Sequence, residues 1–225
     1  MNESTTAGAA ASENLAAGRT AMAFGTPISS YEWPASESLN ESLREMILAK
    51  EAESDGLKRS NIGGWHSEND LLAWEGPAID TFRDRLKKFA GDMTAVLLSA
   101  GDQKNAKLSF SMEAWANVSR DGNYNNVHDH PMSHLSGVYY VSCTGLDQSV
   151  PVAGRLELLD PRVAINQMRL KGSVYEGRYV IDPVPGLMVF FPSWLKHIVH
   201  PYRGAGERIS ISYNVTIREK KPAPA

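Results

Sequence analysis

Apolar residues in the first part of the chain recur at the spacing of a helix. A first set, which follows Ser38, consists of Leu39, Leu43, Met46 and Ile47. Their spacing places them on one face of an amphipathic helix, with Ser36 or Ser38 as its N-cap. A second, longer set follows Pro77, which suits a first helical position. It consists of Ile79, Phe82, Leu86, Phe89, Met93, Val96 and Leu97. The sequence therefore predicts two helices within 37–100.

Between these helices we expect a glycine-containing loop at 60–67 and a short helical turn at 70–74. After Gly101 the period of the pattern changes from that of a helix to two. Residues 107–119 alternate, and one face carries Leu108, Phe110, Met112, Ala114, Ala116 and Val118. A period of two is typical of a β-strand.

Seven further short strands are predicted after this one. They lie at about 125–130, 136–143, 154–159, 174–181, 186–191, 196–201 and 207–215. Turn residues such as Asp121-Gly122-Asn123 separate most of them. About eight short strands in succession, with no helical pattern between them, predict an antiparallel barrel or sandwich over 107–216. The two helices would then cover the outside of one sheet, so the fold class is mainly β with N-terminal helices.

Composition is that of a soluble globular domain, with 42% apolar and 22% charged residues among 225. We expect one domain at 25–218, a mobile N-terminal tail at 1–24 and a C-terminal tail at 219–225. A net charge of −3 without a basic run argues against a nucleic-acid partner. The longest apolar run, 186–195, is shorter than the roughly 20 residues of a membrane span. One cysteine and no secretory pattern predict a cytoplasmic protein.

Histidines supply the first candidate chemistry. In a regular strand, His128 and His130 point to the same side, roughly 6–7 Å apart along the chain. Two imidazoles so placed can share a metal ion, and His197 on a later buried strand provides a third ligand. A set of three histidines suits zinc, iron or another borderline divalent metal, and not calcium or magnesium.

Two alternative ligands stay open. Asp129 points away from the metal in a regular strand, but a β-bulge at this position would turn it inward in place of His130. His134, four residues after His130, is a second alternative. We interpret His200 as structural and His66 as no more than a wall of the site.

A basic residue on the last strand predicts an anion site. Arg208, Ser210, Ser212 and Asn214 share one face of the predicted strand. A buried guanidinium cannot lose its proton and needs an anion, such as a carboxylate bound by Arg208 and Ser210. The alternative is an edge strand with an exposed Arg208 paired to Glu207. Tyr139 and Tyr140 face opposite sides, so one hydroxyl points inside.

Five motifs together resemble a known family. They are SNIGGWHS (60–67), HDHPMSHLSGVYYV (128–141), LDPR (159–162), FFPSWLKHIVHPY (190–202) and ERISISYN (207–214). Over about 25–216 the chain is similar to 2-oxoglutarate- and Fe(II)-dependent oxygenases of largely unassigned substrate. The resemblance implies a double-stranded β-helix (jelly-roll, cupin-like) core with helices packed on it.

It also implies a dioxygenase that binds Fe(II), takes 2-oxoglutarate as cosubstrate, and uses O2 to oxidise a C–H bond with release of succinate and CO2. By this resemblance His128, His130 and His197 hold the metal, while Arg208 and Ser210, joined by Tyr140, bind the distal carboxylate. His130 stands where most of the superfamily has Asp or Glu, which leaves the site one charge unit more positive.

The reaction class therefore has several candidates. The leading one is a hydroxylase of an unidentified small-molecule or peptide substrate. A cupin-type metalloenzyme that does not use 2-oxoglutarate, such as a three-histidine dioxygenase or an isomerase, is the first alternative. A barrel that binds a small ligand without turnover is the second. A homodimer is compatible with this sequence.

Overall fold

A computed structural model of the protein describes residues 25–98, 108–162, 171 and 177–219. The predicted tails at 1–24 and 219–225 lie outside the described residues, except for Glu219, which ends the last strand. Residues 174–176 of one predicted strand, and the predicted helix end at Gly101, also lie outside them.

Two α-helices and a 3₁₀ turn precede most of the sheet structure. They are α1 (Glu37–Glu53), a 3₁₀ turn (Leu71–Ala73) and α2 (Pro77–Leu97). The strands are β1 (Ser29–Glu32), β2 (Asn61–Ile62), β3 (Trp65–His66), β4 (Leu108–Ser119), β5 (Tyr124–His128), β6 (Leu135–Cys143), β7 (Leu156–Leu159), β8 (Arg178–Ile181), β9 (Leu187–Pro192), β10 (His197–Val199) and β11 (Arg208–Glu219).

The strands form two antiparallel sheets. The six-stranded sheet has the order β1-β9-β6-β11-β4-β3, and the five-stranded sheet has the order β2-β5-β10-β7-β8. β4 and β11 pair along their whole lengths at the centre of the larger sheet, from Arg208 opposite Ser119 to Glu219 opposite Leu108. Each of the eight predicted strands is present, so the antiparallel β prediction is confirmed.

The helices pack on the outer face of the six-stranded sheet. The period of two in β4 turns Ala114, Ala116 and Val118 towards them, and all three are buried. Leu43 of α1 and Phe82 of α2 are fully buried in the same core. Each large apolar side chain buried in this way stabilises the fold by roughly 1.5–3 kcal/mol. A second, smaller core lies between the two sheets.

Two local predictions were wrong. The predicted loop at 60–67 contains β2, which pairs with β5, and β3, which pairs with β4. A strand of two residues is too short to show an alternation of apolar and polar positions. Such strands can therefore be identified only from their pairing with distant segments. The last two residues of the α2 stripe, Val96 and Leu97, are 64% and 43% exposed, because the buried face of this helix ends at Thr94.

The predicted cap of α1 differs in detail from the structure. Ser36 precedes the helix, but its Oγ donates to the carbonyl of Trp33 and accepts from Arg85. The hydroxyl therefore links the chain entering α1 to α2 and makes no capping bond. In the described part of the chain, no helix has the length and apolar character needed to cross a membrane.

Candidate functional site

A cavity of about 460 Å³ lies between the two sheets. Its walls come from the strand faces opposite to those that meet the helices. On β4 these are the odd-numbered residues, including Trp115 and Asn117, and on β11 the even-numbered ones, including Arg208 and Ser210. The same alternation that builds the apolar core on one side therefore supplies polar side chains to the other.

Three histidines meet in this cavity. His128 ends β5, His197 begins β10, and the two residues pair directly across the strands. His130 lies just after β5, where its backbone N–H donates to the carbonyl of Ser193 at 2.9 Å. The ring centroids are 4.2 Å apart for His128 and His197, 5.1 Å for His128 and His130, and 5.2 Å for His130 and His197. One potential ligand atom from each ring lies within 4.8 Å of the other two.

Backbone carbonyls orient two of these rings. Nδ1 of His128 lies 2.6 Å from the carbonyl oxygen of Asn126, and Nδ1 of His197 lies 3.0 Å from that of Leu195. A carbonyl can only accept, so each Nδ1 carries the proton and each Nε2 carries the lone pair that a metal needs. Nε2 of His128 also lies 3.4 Å from Oγ of Ser60, which is longer than a typical hydrogen bond.

All three imidazoles are neutral at pH 7. Burial, with the neighbouring histidines, lowers the pKa of His197 to about 3 and that of His130 to about 4. Burial also lowers the pKa of His128. Neutral imidazoles offer their lone pairs without first losing a proton, so the cluster is ready to bind a divalent cation.

The structure separates the alternative ligands from the cluster. Asp129 lines the cavity but does not belong to the group of ligand atoms that approach one another. His134 is exposed, and its Nδ1 accepts the N–H of Ile217 at 3.1 Å. His200 has the structural role expected of it, with Nε2 2.8 Å from a Glu157 carboxylate oxygen. The candidate ligand set is thus three histidines.

Arg208 occupies the other end of the cavity and is only 2% exposed. Its Nη1 donates to Oγ of Ser210 at 3.2 Å, and its guanidinium lies 5.1 Å from the centre of the Tyr140 ring. Across the described ranges no carboxylate forms an ion pair with it, and its Nε has no hydrogen-bond partner. Arg208 is buried as predicted, and the alternative of an exposed Arg208 paired to Glu207 does not hold, since Glu207 forms ion pairs with Arg44 and Arg120.

The register between β6 and β11 determines which tyrosine joins Arg208. Ser210 lies opposite Tyr140, next to a shift in the pairing between Ile209 and Ser210. Tyr140 therefore faces the space between the two sheets, beside Arg208, while Tyr139 faces α1 and donates to Asn40 at 2.6 Å. Among the described residues, no polar group forms a hydrogen bond with the buried Tyr140 hydroxyl. Burial raises its pKa despite the nearby Arg208 charge, so the hydroxyl stays protonated as a donor.

These features match a family. Residues 113–214 match the family described as "Putative 2OG-Fe(II) oxygenase". This segment of the chain, slightly less than half of its length, is therefore similar to 2OG-Fe(II) oxygenases. The matched segment runs from β4 to β11 and contains the three histidines of the cluster together with Arg208 and Ser210. No curated protein has a sequence that matches this chain.

Solved structures resemble this chain in fold. A prolyl-4-hydroxylase from Pseudomonas putida is 17% identical, with a TM-score of 0.56 over 92% of this chain and 97% of that one. A prolyl hydroxylase from Trichoplax adhaerens is 13% identical, with a TM-score of 0.56 over 84% and 83%. HygX from Streptomyces hygroscopicus, solved with nickel and 2-oxoglutarate, is 12% identical, with a TM-score of 0.55 over 85% and 83%. The likeness shows that the fold is a double-stranded β-helix.

Sequence reasoning missed several residues of the cavity wall. Glu113 and Asn117 line the cavity from β4, although the prediction for this strand rested on its apolar face. The signal was available in the same pattern, because residues between the apolar positions of a strand must face the other side. Asn69 and Arg59 carried no such signal, since the segment around them reaches the cavity only through the pairing of β2 and β3.

Proposed function

We propose that this protein is an Fe(II)- and 2-oxoglutarate-dependent dioxygenase that hydroxylates a small-molecule or peptide substrate. The observation that carries the proposal is the combination of three neutral imidazoles with a buried guanidinium that has no anionic partner among the described residues. A buried charge without a partner costs several kcal/mol, and a bound carboxylate would remove that cost. The similarity to 2OG-Fe(II) oxygenases supplies the chemical context for both groups.

The donor set fits the metal. His128 and His197 would bind Fe(II) through Nε2, and His130 would complete the set, since imidazole suits iron. Bound there, Fe(II) would supply the redox chemistry that couples O2 to the oxidation of 2-oxoglutarate and substrate. Three neutral ligands leave the full charge of the cation uncompensated by protein. This favours a dianionic cosubstrate over a neutral one.

Arg208, Ser210 and Tyr140 would hold the distal carboxylate of 2-oxoglutarate. The guanidinium offers N–H groups in a planar fork, and the protonated Tyr140 hydroxyl adds a further donor. Apolar side chains of Val138, Leu156 and Phe191 line the same cavity. They exclude water and so strengthen the charge-assisted bonds.

The overall reaction balances as 2-oxoglutarate, O2 and a C–H group giving succinate, CO2 and a C–OH group. One oxygen atom enters succinate and the other enters the product. A cytoplasmic location, a homodimer and the absence of nucleic-acid and membrane partners stay predictions of the sequence.

The test is binding of 2-oxoglutarate to the metal-loaded protein, followed by succinate release after addition of Fe(II) and O2. We expect 2-oxoglutarate to raise the melting temperature only when a divalent metal is present. His130→Ala should abolish metal binding, measured by calorimetry with Ni(II). His134→Ala, the same substitution four residues further on, should leave it within about twofold.

The outcomes separate the alternatives. Metal binding without 2-oxoglutarate binding would contradict the proposal and favour a three-histidine enzyme of the cupin type. Retention of metal binding in His130→Ala would contradict the ligand set. Binding of 2-oxoglutarate that is equally strong without metal would contradict its role as a metal-chelating cosubstrate.

A further inference from the structure

The rings of the three candidate metal ligands are not fixed in the same way. In His128 and His197, Nδ1 lies 2.6 Å and 3.0 Å from the backbone carbonyl oxygen two residues earlier in the chain. For His130 only the backbone is held, through the N–H that donates to the carbonyl of Ser193. Among the residues that the structure describes, none forms a hydrogen bond with its ring. The ring of His130 therefore needs another support.

A hydrogen bond to the second ring nitrogen has two effects on a histidine ligand. It fixes the orientation of the ring, and it makes the metal-binding nitrogen more basic. A ring without this bond can turn about both side-chain torsions, and metal binding then restricts that freedom at a cost in entropy. Packing against another ring can restrict the same torsions before the metal binds. Of the three ligands, His130 is thus the one that depends most on its packing.

Trp115 provides such packing for His130. The centres of the two rings are 5.6 Å apart and their planes are inclined at 48°. This separation is typical of aromatic pairs, whose centres lie roughly 4.5–7 Å apart. Trp115 is itself held firmly, because it lies on β4 opposite Ser212 of β11 and is only 6% exposed. The other ring neighbours of His130 are His128 and His197, with which it would share the ion.

A further ring packs against Trp115. The ring of His66 lies 5.5 Å from it, with the planes 10° from parallel. His66 is fixed twice, since its backbone pairs with Asn117 of β4 and its Nδ1 lies 2.6 Å from the carbonyl oxygen of Ser67. Both rings of this stack are buried. Stacked aromatic rings therefore connect the pairing of β3 and β4 to the ligand whose ring has no hydrogen bond.

We propose that Trp115, supported by His66, is the positioning residue of His130, so that packing orients one ligand of the metal site while hydrogen bonds orient the other two. This inference rests on the proposed function, because it takes the three histidines as the ligand set. Trp115 and His66 act through His130 and do not bind the metal themselves. The site therefore requires a flat aromatic face at position 115, and not merely apolar volume.

The test separates the aromatic face from the volume that it fills. Trp115→Phe keeps a flat ring, whereas Trp115→Leu keeps an apolar side chain without one. Both variants lose buried volume, so both should unfold at a lower urea concentration than the wild type. Binding of Ni(II) is measured by calorimetry on the full chain without 2-oxoglutarate. We expect Trp115→Leu to bind Ni(II) about tenfold more weakly than the wild type, and Trp115→Phe to stay within about threefold.

A second pair of variants and a control locate the effect. His66→Phe keeps the stack on Trp115 and should leave the Ni(II) affinity within about twofold, whereas His66→Leu should weaken it by about threefold. Trp194→Leu is the matched control, because it makes the same substitution at a side chain that is 53% exposed. Its Ni(II) affinity should stay within about twofold of the wild type.

Electron paramagnetic resonance of the Cu(II)-loaded protein reports ligation rather than stability. The wild type and Trp115→Phe should show three coordinated imidazole nitrogens. Trp115→Leu should contain a fraction of centres with only two, because the unsupported ring of His130 leaves the ion more often. A loss of stability alone would not change the number of nitrogens in the folded protein.

The outcomes separate this positioning role from the proposed function. A wild-type protein that binds no Ni(II) would contradict the proposed function itself. If the wild type binds Ni(II) but Trp115→Leu binds it equally well and keeps three nitrogens, the positioning role is overturned. Equal weakening in Trp115→Phe and Trp115→Leu would also overturn it, since the aromatic face would then make no difference.

Discussion

The two faces of β11 show how one strand serves both stability and chemistry. On the outer face, Ile209, Ile211, Tyr213 and Val215 have no solvent exposure. Even the Tyr213 hydroxyl is satisfied, since it donates to the carbonyl of Val189 at 2.6 Å. On the inner face, Arg208 is similarly buried, but within the described part of the chain its Nε has no hydrogen-bond partner. Burial is similar on the two faces, whereas the pairing of polar groups is not.

This difference in the pairing of buried polar groups indicates that the two faces of β11 have different roles. An unpaired buried polar group costs roughly 1–3 kcal/mol, and a buried charge costs more. The apolar outer face, packed under α1 and α2, stabilises the fold and offsets that cost. The inner face can therefore keep unpaired donors for a ligand. Substitutions on the two faces should accordingly affect stability and ligand binding in opposite ways.

The largest effect on stability is expected on the outer face. Ile211→Ala removes a fully buried side chain from the core between sheet and helices, and should lower the free energy of unfolding by about 2–5 kcal/mol. Urea denaturation measures this change. The folded fraction should bind 2-oxoglutarate within about twofold of the wild type, because the inner face is unchanged. A large loss of affinity in a folded variant would show that the two faces are coupled.

The second prediction concerns the inner face, where a substitution should weaken ligand binding without lowering the free energy of unfolding. Arg208→Met should weaken 2-oxoglutarate binding by about 100-fold, equivalent to roughly 2.7 kcal/mol. The ligand-free protein should be equally or more stable towards urea, because an unpaired buried charge is replaced by an apolar side chain. Arg218→Met, at the exposed end of the same strand, is the control. A clear loss of stability in Arg208→Met would indicate a structural guanidinium.

The smallest effect on stability is expected at Glu157 of the five-stranded sheet, whose carboxylate is paired with Arg178 and His200. Burial raises the pKa of Glu157, but hydrogen bonds from Arg178 and His200 outweigh it and lower the pKa below its usual value near 4.5. A lowered pKa in the folded state contributes stability that is present above about pH 4.5 and lost as the pH falls through the folded pKa. Glu157→Gln should flatten this acid decrease in the free energy of unfolding. If the free energy of unfolding of Glu157→Gln fell with pH as steeply as that of the wild type, other carboxylates would be responsible for the acid decrease.

Local patterns accounted for most of the architecture and for the chemical residues. The period of two in β4 and β11, and the helical stripes of α1 and α2, follow from side-chain geometry within each element. The three histidines and Arg208 could be selected because their chemistry is unusual for a buried strand face. The structure brings the three histidines together, and it buries Arg208.

Tertiary structure decided what depends on pairing between distant segments. It set the register that places Tyr140, rather than Tyr139, opposite Ser210 and beside Arg208. It also ended β5 at His128 and left Asp129, the residue before His130, outside the group of ligand atoms that approach one another. The pairing of β3 with β4 brought His66 to Trp115, and the bridge between Asp70 and Ala114 brought Asn69 to Glu113. A sequence determines which side of its own strand a residue takes, but the partner across the cavity depends on register, which is a property of two strands together.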